Sequence, residues 1–177
     1  MRDSVHYVQF FNDDLAFVQA ISMFLRDGLE AGSICMAVLT LAHRQQVDAC
    51  LRVLGLDPVA LAAEYRYIAL DAPTVLAGFL NDGVLDRHRF HHDMGRLMRQ
   101  VGSGGRHVCA AGEMASLLAQ QAGVALAIQL EELWNELSRH FSFSLFCGYD
   151  AAALSDAIDS KTYKQICAVH SHALHAD

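Results

Sequence analysis

The sequence predicts an α/β fold of three layers, in which helices cover both faces of a mainly parallel sheet. Short apolar runs alternate with helical patterns along the chain, beginning with a strand, a tight turn, a helix and a second strand between His6 and Thr40. The second run, Ile34–Leu39, is apolar at every position. Such a run is typical of a parallel strand that is covered on both faces.

The first predicted helix follows the turn Asn12-Asp13-Asp14, where Asn12 or Asp13 can cap it with a side-chain oxygen. Apolar residues then recur at helical spacing around much of the helix, which predicts that it lies deep against the sheet. The residues of this stripe are Leu15, Phe17, Val18, Ile21, Ser22, Phe24, Leu25 and Leu29.

Three further strands are predicted at residues 65–70, 106–111 and 141–147, each an apolar run that ends near a polar or glycine-containing turn. Helical patterns separate these strands, and a last helix begins near Ser160 before a frayed tail. Because no linker, repeat or low-complexity segment interrupts the alternation, we expect one domain over residues 1–177.

The composition of the 177-residue chain argues against several classes of protein. Its formal net charge of −7 offers no basic stripe for nucleic acid. No apolar stretch approaches the roughly 20 residues of a membrane span, and no signal peptide is visible, so we expect a cytoplasmic protein without membrane contact. The five cysteines have no C-x-x-C spacing, which indicates reduced and mostly buried thiols.

The first strand-to-helix turn holds phosphate in nucleotide-binding proteins of this layout. Here the turn reads Phe11-Asn12-Asp13-Asp14, whose two carboxylates would repel a phosphate, and no G-x-x-x-x-G-K-[ST] motif is present. The only lysines are Lys161 and Lys164, far from this turn in the sequence. The layout of a nucleotide-binding protein is therefore predicted without its phosphate chemistry, and no cofactor is expected.

Six short motifs occur in a fixed order along the chain. They are His6-x-x-x-Phe10-Phe11, Gly28-Leu29-x-x-Gly32, Ala42-His43-Arg44, Gly112-Glu113-Met114, Leu130-Glu131-x-x-Trp134-Asn135-x-Leu137 and Cys147-x-Tyr149. Together they resemble the MEDS domain, the sensory domain named after DcmR, the dichloromethane-responsive repressor of methylotrophs. The resemblance extends from His6 to about His170 and implies a RecA-like, KaiC-like fold with a degenerate phosphate loop.

The resemblance also implies a function, since members of that family are sensory parts of transcriptional regulators, signalling kinases and sigma-factor regulators. We therefore expect a non-enzymatic module that binds a small molecule or a partner protein. No DNA-binding or kinase segment is visible, so the signal is expected to pass through a separate regulatory protein or a homo-oligomer. Two alternatives are a residual nucleotide-binding enzyme of RecA-like fold and an oligomeric scaffold.

The predicted ligand site lies beyond the carboxyl ends of the strands, where parallel α/β sheets bind ligands. The expected ligand-binding residues are Phe11, Asn12, Asp13, Thr40, His43, Glu113 and Tyr149. For Glu113 the alternative is a cap on the following helix, and for His43 it is a position that merely begins a helix. The hydroxyl of Tyr149 is expected to face the cleft.

The remaining candidates receive structural interpretations. Trp134 continues a leucine stripe and is expected in the core, with a ligand-stacking role as the alternative. Glu131 and Asn135 are one turn apart and are expected on a solvated helix surface, with a shared hydrogen bond or a joint polar face as the alternative. His88 and His92 are four residues apart on a predicted helix, but two histidines supply too few ligands for a structural zinc site. We therefore predict no metal site.

Overall fold

The computed structural model describes residues 4–154 and 159–174 and confirms the three-layer α/β fold. The strands are β1 (Val5–Phe11), β2 (Ile34–Leu39), β3 (Tyr67–Asp71), β4 (Leu80–Asn81), β5 (Val84–Leu85), β6 (Val108–Gly112), β7 (Phe143–Asp150) and β8 (His172–Leu174). The helices are α1 (Asp14–Glu30), α2 (Leu41–Val53), α3 (Pro58–Ala63), α4 (Ala72–Phe79), α5 (Arg87–Val101), α6 (Met114–Ala122), α7 (Val124–Ser138) and α8 (Ser160–Ala168).

Six strands form one sheet in the order β3-β2-β6-β7-β1-β8, and every neighbouring pair in it is parallel. Parallel pairing aligns the carboxyl ends of β1, β2, β6 and β7 along one edge of the sheet. The turns that follow these four strands therefore meet, which fixes where a strand-end cleft can form.

The sheet separates two apolar layers. Helix α1 and its neighbours α2 and α3 cover one face, where Phe17, Ile21 and Leu51 are buried. Helices α4 to α8 cover the other face, where Phe90 and Trp134 are buried. Successive side chains of a strand point to opposite faces of the sheet, so consecutive residues of β7 pack in different layers.

Helix α1 begins as its sequence predicts. The carboxylate of Asp13 accepts a hydrogen bond from the backbone N–H of Ala16 at 2.8 Å, which caps the first turn. From Phe17 to Leu29 the predicted stripe is buried, apart from the partly buried Phe24, but the prediction for its first member, Leu15, is wrong. Leu15 is 65% exposed, and its neighbours Asp13 and Asp14 at the start of the helix are exposed as well.

Four short or shifted strands differ from the prediction. Strand β7 continues to Asp150, past the predicted end at Cys147, because its last residues still pair with the end of β1. Strand β8 lies in the predicted frayed tail and pairs with β1 at the sheet edge. The hairpin β4–β5 turns at Asp82 and Gly83, which both have positive φ, as a type I′ turn requires.

The core position predicted for Trp134 is confirmed. Its indole packs edge-to-face against Phe90 at 5.1 Å and against Phe143 at 6.0 Å between ring centroids. In the parts of the chain that the structure describes, no helix combines the length and the apolar character that crossing a membrane requires.

Candidate functional site

A cleft of about 340 Å³ opens at the carboxyl ends of the central strands, between the start of α1 and the start of α6. Six of the seven predicted ligand-binding residues line it, namely Phe11, Asn12, Asp13, Thr40, His43 and Glu113. Asp14, Phe17, Ser116, Leu117, Gln120, Gly148, Asp150 and Ala152 complete the lining. Its volume suits a small organic molecule.

The centre of the cleft is an ion pair between Glu113 and His43. Glu113 directly follows β6, and both of its carboxylate oxygens lie 2.9 Å from Nδ1 of His43 on the first turn of α2. The Glu113 side chain is buried, and the imidazole is largely buried. The other ring nitrogen, Nε2, lies 3.5 Å from the exposed carboxylate of Asp14.

Thr40 holds this ion pair in position through two hydrogen bonds. Its backbone N–H donates to Oε1 of Glu113 at 2.7 Å, and its hydroxyl caps α2 by accepting from the backbone N–H of His43. Glu113 makes no side-chain cap on α6, the helix that it precedes. The Glu113 carboxylate therefore links the end of β6 to the end of β2, and the alternative that it caps α6 is wrong.

This geometry changes the protonation of His43. The hydrogen bond to Glu113 raises the pKa of the imidazole above its usual value, and partial burial opposes that rise. The charges of Glu113 and Asp14 act in the same direction as the hydrogen bond. The raised pKa favours the protonated imidazole, which is a hydrogen-bond donor at both ring nitrogens.

An aromatic wall closes one side of the cleft. The ring of Phe17 packs against the His43 imidazole at 4.7 Å between centroids and edge-to-face against Phe11 at 5.4 Å. Phe17 lies over Gly148 of β7, where a Cβ atom would be 2.3 Å from Cε2 of the ring. A side chain at position 148 would displace this wall.

The electrostatic character of the cleft is acidic. Its described lining contains the carboxylates of Asp13, Asp14, Glu113 and Asp150 and neither lysine nor arginine. Such a lining disfavours phosphate and other anions and favours neutral or cationic polar groups. The aromatic wall adds an apolar surface to this acidic lining.

The seventh predicted residue, Tyr149, does not face the cleft. Strand β7 extends through Tyr149, so side chains alternate across the sheet and place Gly148 and Asp150 on the cleft side. The Tyr149 ring is fully buried on the opposite face, where its hydroxyl donates to Oε1 of Glu131 at 2.9 Å. The expectation for its hydroxyl is therefore wrong.

The solvated surface expected for Glu131 and Asn135 is also wrong. The Glu131 carboxylate is fully buried and meets His6, Cys147 and His170 within 3.4 Å. Burial acts to raise the pKa of this carboxyl, but the facing His170 and His6 rings outweigh it and lower the pKa.

Asn135 is partly buried one turn further along α7. Its side-chain oxygen lies 2.9 Å from Nδ1 of His6, and its side-chain nitrogen donates to the carbonyl of Val169 at 2.6 Å.

We name His6, Glu131, Cys147 and His170 the buried cluster. Its members come from β1, α7, β7 and the segment after α8, so no sequence spacing could have indicated it.

The sequence profile of the MEDS family, described as the MEthanogen/methylotroph, DcmR Sensory domain, matches residues 5–171. No curated protein matches the chain at a significant level. The matched range includes both the cleft and the buried cluster.

Proposed function

Because the chain belongs to the MEDS family of sensory domains, we propose that it is a sensory module whose strand-end cleft binds a small polar molecule. The observation that supports this proposal is the ion pair of Glu113 and His43, held at the centre of a cleft of suitable size. A buried carboxylate and a shared proton in a concave site are typical of ligand binding.

The lining supports one class of ligand over others. A neutral or cationic molecule can donate to Glu113 and accept from the protonated His43, while its apolar part packs on Phe17 and Phe11. Anionic metabolites and triphosphates meet four carboxylates and no lysine or arginine among the described lining residues. A RecA-like ancestry that has lost its phosphate loop is consistent with this lining and is part of the proposal.

The signal would leave the cleft through the helix starts that border it. Leu15 and Leu41 lie on the first turns of α1 and α2, are more than half exposed, and directly follow residues that line or border the cleft. A ligand that reorients these turns changes what the two leucines present to a separate regulatory protein or to a second copy of the chain. Exposed apolar side chains of this kind suit protein contacts.

Thermal-shift screening of neutral, cationic and anionic metabolites tests the ligand site. Neutral or cationic hits should stabilise the wild type and lose most of that effect in Glu113→Gln and in Gln120→Ala. Gln120 is exposed on the cleft rim, so its variant keeps the fold if Glu113→Gln does not. Glu132→Gln is the matched control, because Glu132 is exposed on α7 and does not line the cleft.

Two results would contradict the proposal. One is stabilisation of all variants by the same hits to the same extent, which would place the ligand elsewhere. The other is tight, magnesium-dependent ATP binding and turnover by the purified chain, measured by isothermal titration and phosphate release. That result would favour a residual nucleotide-binding enzyme.

A further inference from the structure

We propose that the buried cluster of His6, Glu131, Cys147 and His170 binds a divalent transition-metal ion, with zinc as the best match. One ligand atom from each residue can be chosen so that all four lie within 4.8 Å of one another. The site is distinct from the cleft, because it lies on the opposite face of the sheet. It also departs from the prediction of no metal made from the sequence.

Three ligand atoms are spaced about as tetrahedral coordination requires, and the fourth, Nε2 of His170, faces the second oxygen of the same carboxylate. Nε2 of His6 lies 3.3 Å from Sγ of Cys147 and 3.2 Å from Oε2 of Glu131, and the sulfur lies 3.2 Å from the same oxygen. Nε2 of His170 lies 3.4 Å from Oε1 of Glu131. Tetrahedral zinc, with bonds of about 2.0–2.3 Å, separates its ligand atoms by about 3.3–3.8 Å.

The hydrogen bonds around the cluster fix both histidine rings in the orientation that a metal needs. Nδ1 of His170 lies 2.7 Å from the carbonyl of Ile166, which can only accept. Nδ1 of His6 faces the oxygen of Asn135, whose amide nitrogen is already used to donate to Val169. Each neutral ring therefore carries its proton on Nδ1 and directs the lone pair of Nε2 into the cluster.

His170 supplies a second observation that points to a cation. Its side chain is fully buried, and its Nε2 lies 3.4 Å from Oε1 of Glu131 without a hydrogen bond, so the two atoms attract each other only when the ring is protonated. In the neutral tautomer, its lone pair faces a carboxylate oxygen of Glu131, so two acceptors oppose each other. A metal ion between them removes this conflict.

Charge balance favours a divalent ion in such a buried place. A thiolate from Cys147 and a carboxylate from Glu131 neutralise the two positive charges of zinc, so no net charge is buried. Two imidazoles and a thiolate are poor ligands for magnesium or calcium, which prefer oxygen. Tyr149 supports the set from outside by donating to Glu131.

Four protein ligands make a closed site, which stabilises structure and leaves no open position for catalysis. The ion would tie β1, α7 and β7 to the segment that leads into β8. His170 lies two residues before the first residue of this edge strand, so metal binding would hold the sheet edge in place.

Cobalt binding to the metal-free full-length chain tests the proposal. After dialysis against a chelator, Co²⁺ should bind one to one and give the intense visible bands of a tetrahedral site with a thiolate-to-cobalt charge-transfer band. Zn²⁺ should abolish these bands and raise the melting temperature. This measurement on the wild type does not depend on whether any variant folds.

Variants locate the site. Cys147→Ser should remove the charge-transfer band. Asn135→Ala removes the residue that orients His6 and should weaken Zn²⁺ binding by about 10-fold to 100-fold. His170→Gln removes a ligand and should weaken Zn²⁺ binding at least as much as Asn135→Ala does. Cys50→Ser and His91→Gln are the matched controls, since both residues are partly buried and lie outside the cluster.

Three outcomes would overturn the proposal. The first is a wild-type chain that takes up no Co²⁺ or Zn²⁺ at micromolar concentrations. The second is cobalt binding without a thiolate band, and the third is equal affinity in Cys147→Ser and the controls. In each case hydrogen bonds and an ion pair between a protonated His170 and Glu131 would hold the buried cluster together, without a metal ion.

Discussion

The ring of Phe17 lies so close to Gly148 that no side chain fits between them. Replacing Gly148 by alanine would bring its Cβ within 2.3 Å of Cε2 and 2.8 Å of Cδ2 of the ring. Phe17 is buried and cannot swing into solvent without losing its contacts. We expect Gly148→Ala to lower the free energy of unfolding by about 1–3 kcal/mol, measured by urea denaturation.

Gly78→Ala is the control for this variant. Gly78 lies in α4, and a Cβ atom at this position would have nothing within 4 Å, so alanine there should leave stability unchanged or raise it by up to about 1 kcal/mol. If the two substitutions destabilise the protein equally, the close contact with Phe17 does not restrict the size of the side chain at position 148.

The pKa of His43 is a second prediction. NMR titration should find it above the usual value of about 6.5, and Glu113→Gln should lower it. Asp14→Asn should lower it less, because Asp14 is exposed and lies further from the ring. If the pKa of His43 is the same in the wild type and in Glu113→Gln, the ion pair does not form in solution.

The same pair predicts how stability depends on pH. A pKa that is higher in the folded state than in the unfolded state stabilises the fold fully below the unfolded value of about 6.5. This contribution is lost as the pH rises through the raised pKa of His43. The stability difference between wild type and Glu113→Gln should therefore shrink from mildly acidic to alkaline pH in denaturation series, and a difference that grows with pH would contradict the assignment.

The cap of α1 gives a third prediction. Asp13→Ala removes the acceptor for the N–H of Ala16 and should cost about 0.5–2 kcal/mol of unfolding free energy. Asp13→Asn keeps an oxygen at the same place and should retain most of that stability. If asparagine is as harmful as alanine in thermal melts, the charge of Asp13 matters more than its hydrogen bond.

The contact of Phe90 with Trp134 gives a fourth prediction. Phe90 is fully buried between Phe79 and Trp134, so Phe90→Ala should cost about 3–5 kcal/mol. Trp134 is the only tryptophan, so its fluorescence reports unfolding of this layer directly. Leu41→Ala, at an exposed position, should change stability by less than about 0.5 kcal/mol.

Local patterns predicted the features that depend on neighbouring residues. Asp13 could be identified as a cap because its turn and helix are contiguous, and Trp134 as a core residue because it continues a helical stripe. The meeting of Thr40, His43 and Glu113 followed from a general property of parallel sheets, whose strand ends share one edge. None of these predictions required knowledge of which strand pairs with which.

The features that sequence reasoning missed depend on pairing between distant segments. Tyr149 faces away from the cleft because pairing with β1 extends β7 by several residues and thereby fixes its side. Local spacing indicated a solvated position for Glu131, because its partners, among them His6 and His170, lie near opposite ends of the chain. A buried carboxylate on a helix has no local signature when its partners are this remote.

The position of β1 in the sheet has a consequence for biosynthesis. Both strands that flank it, β7 and β8, are made after residue 142, and Val5 pairs with Ser144. Strand β1 must therefore remain unpaired in this sheet until β7, more than 130 residues later in the sequence, has been translated. Closing so long a loop slows folding and gives chaperones time to act on the nascent polypeptide.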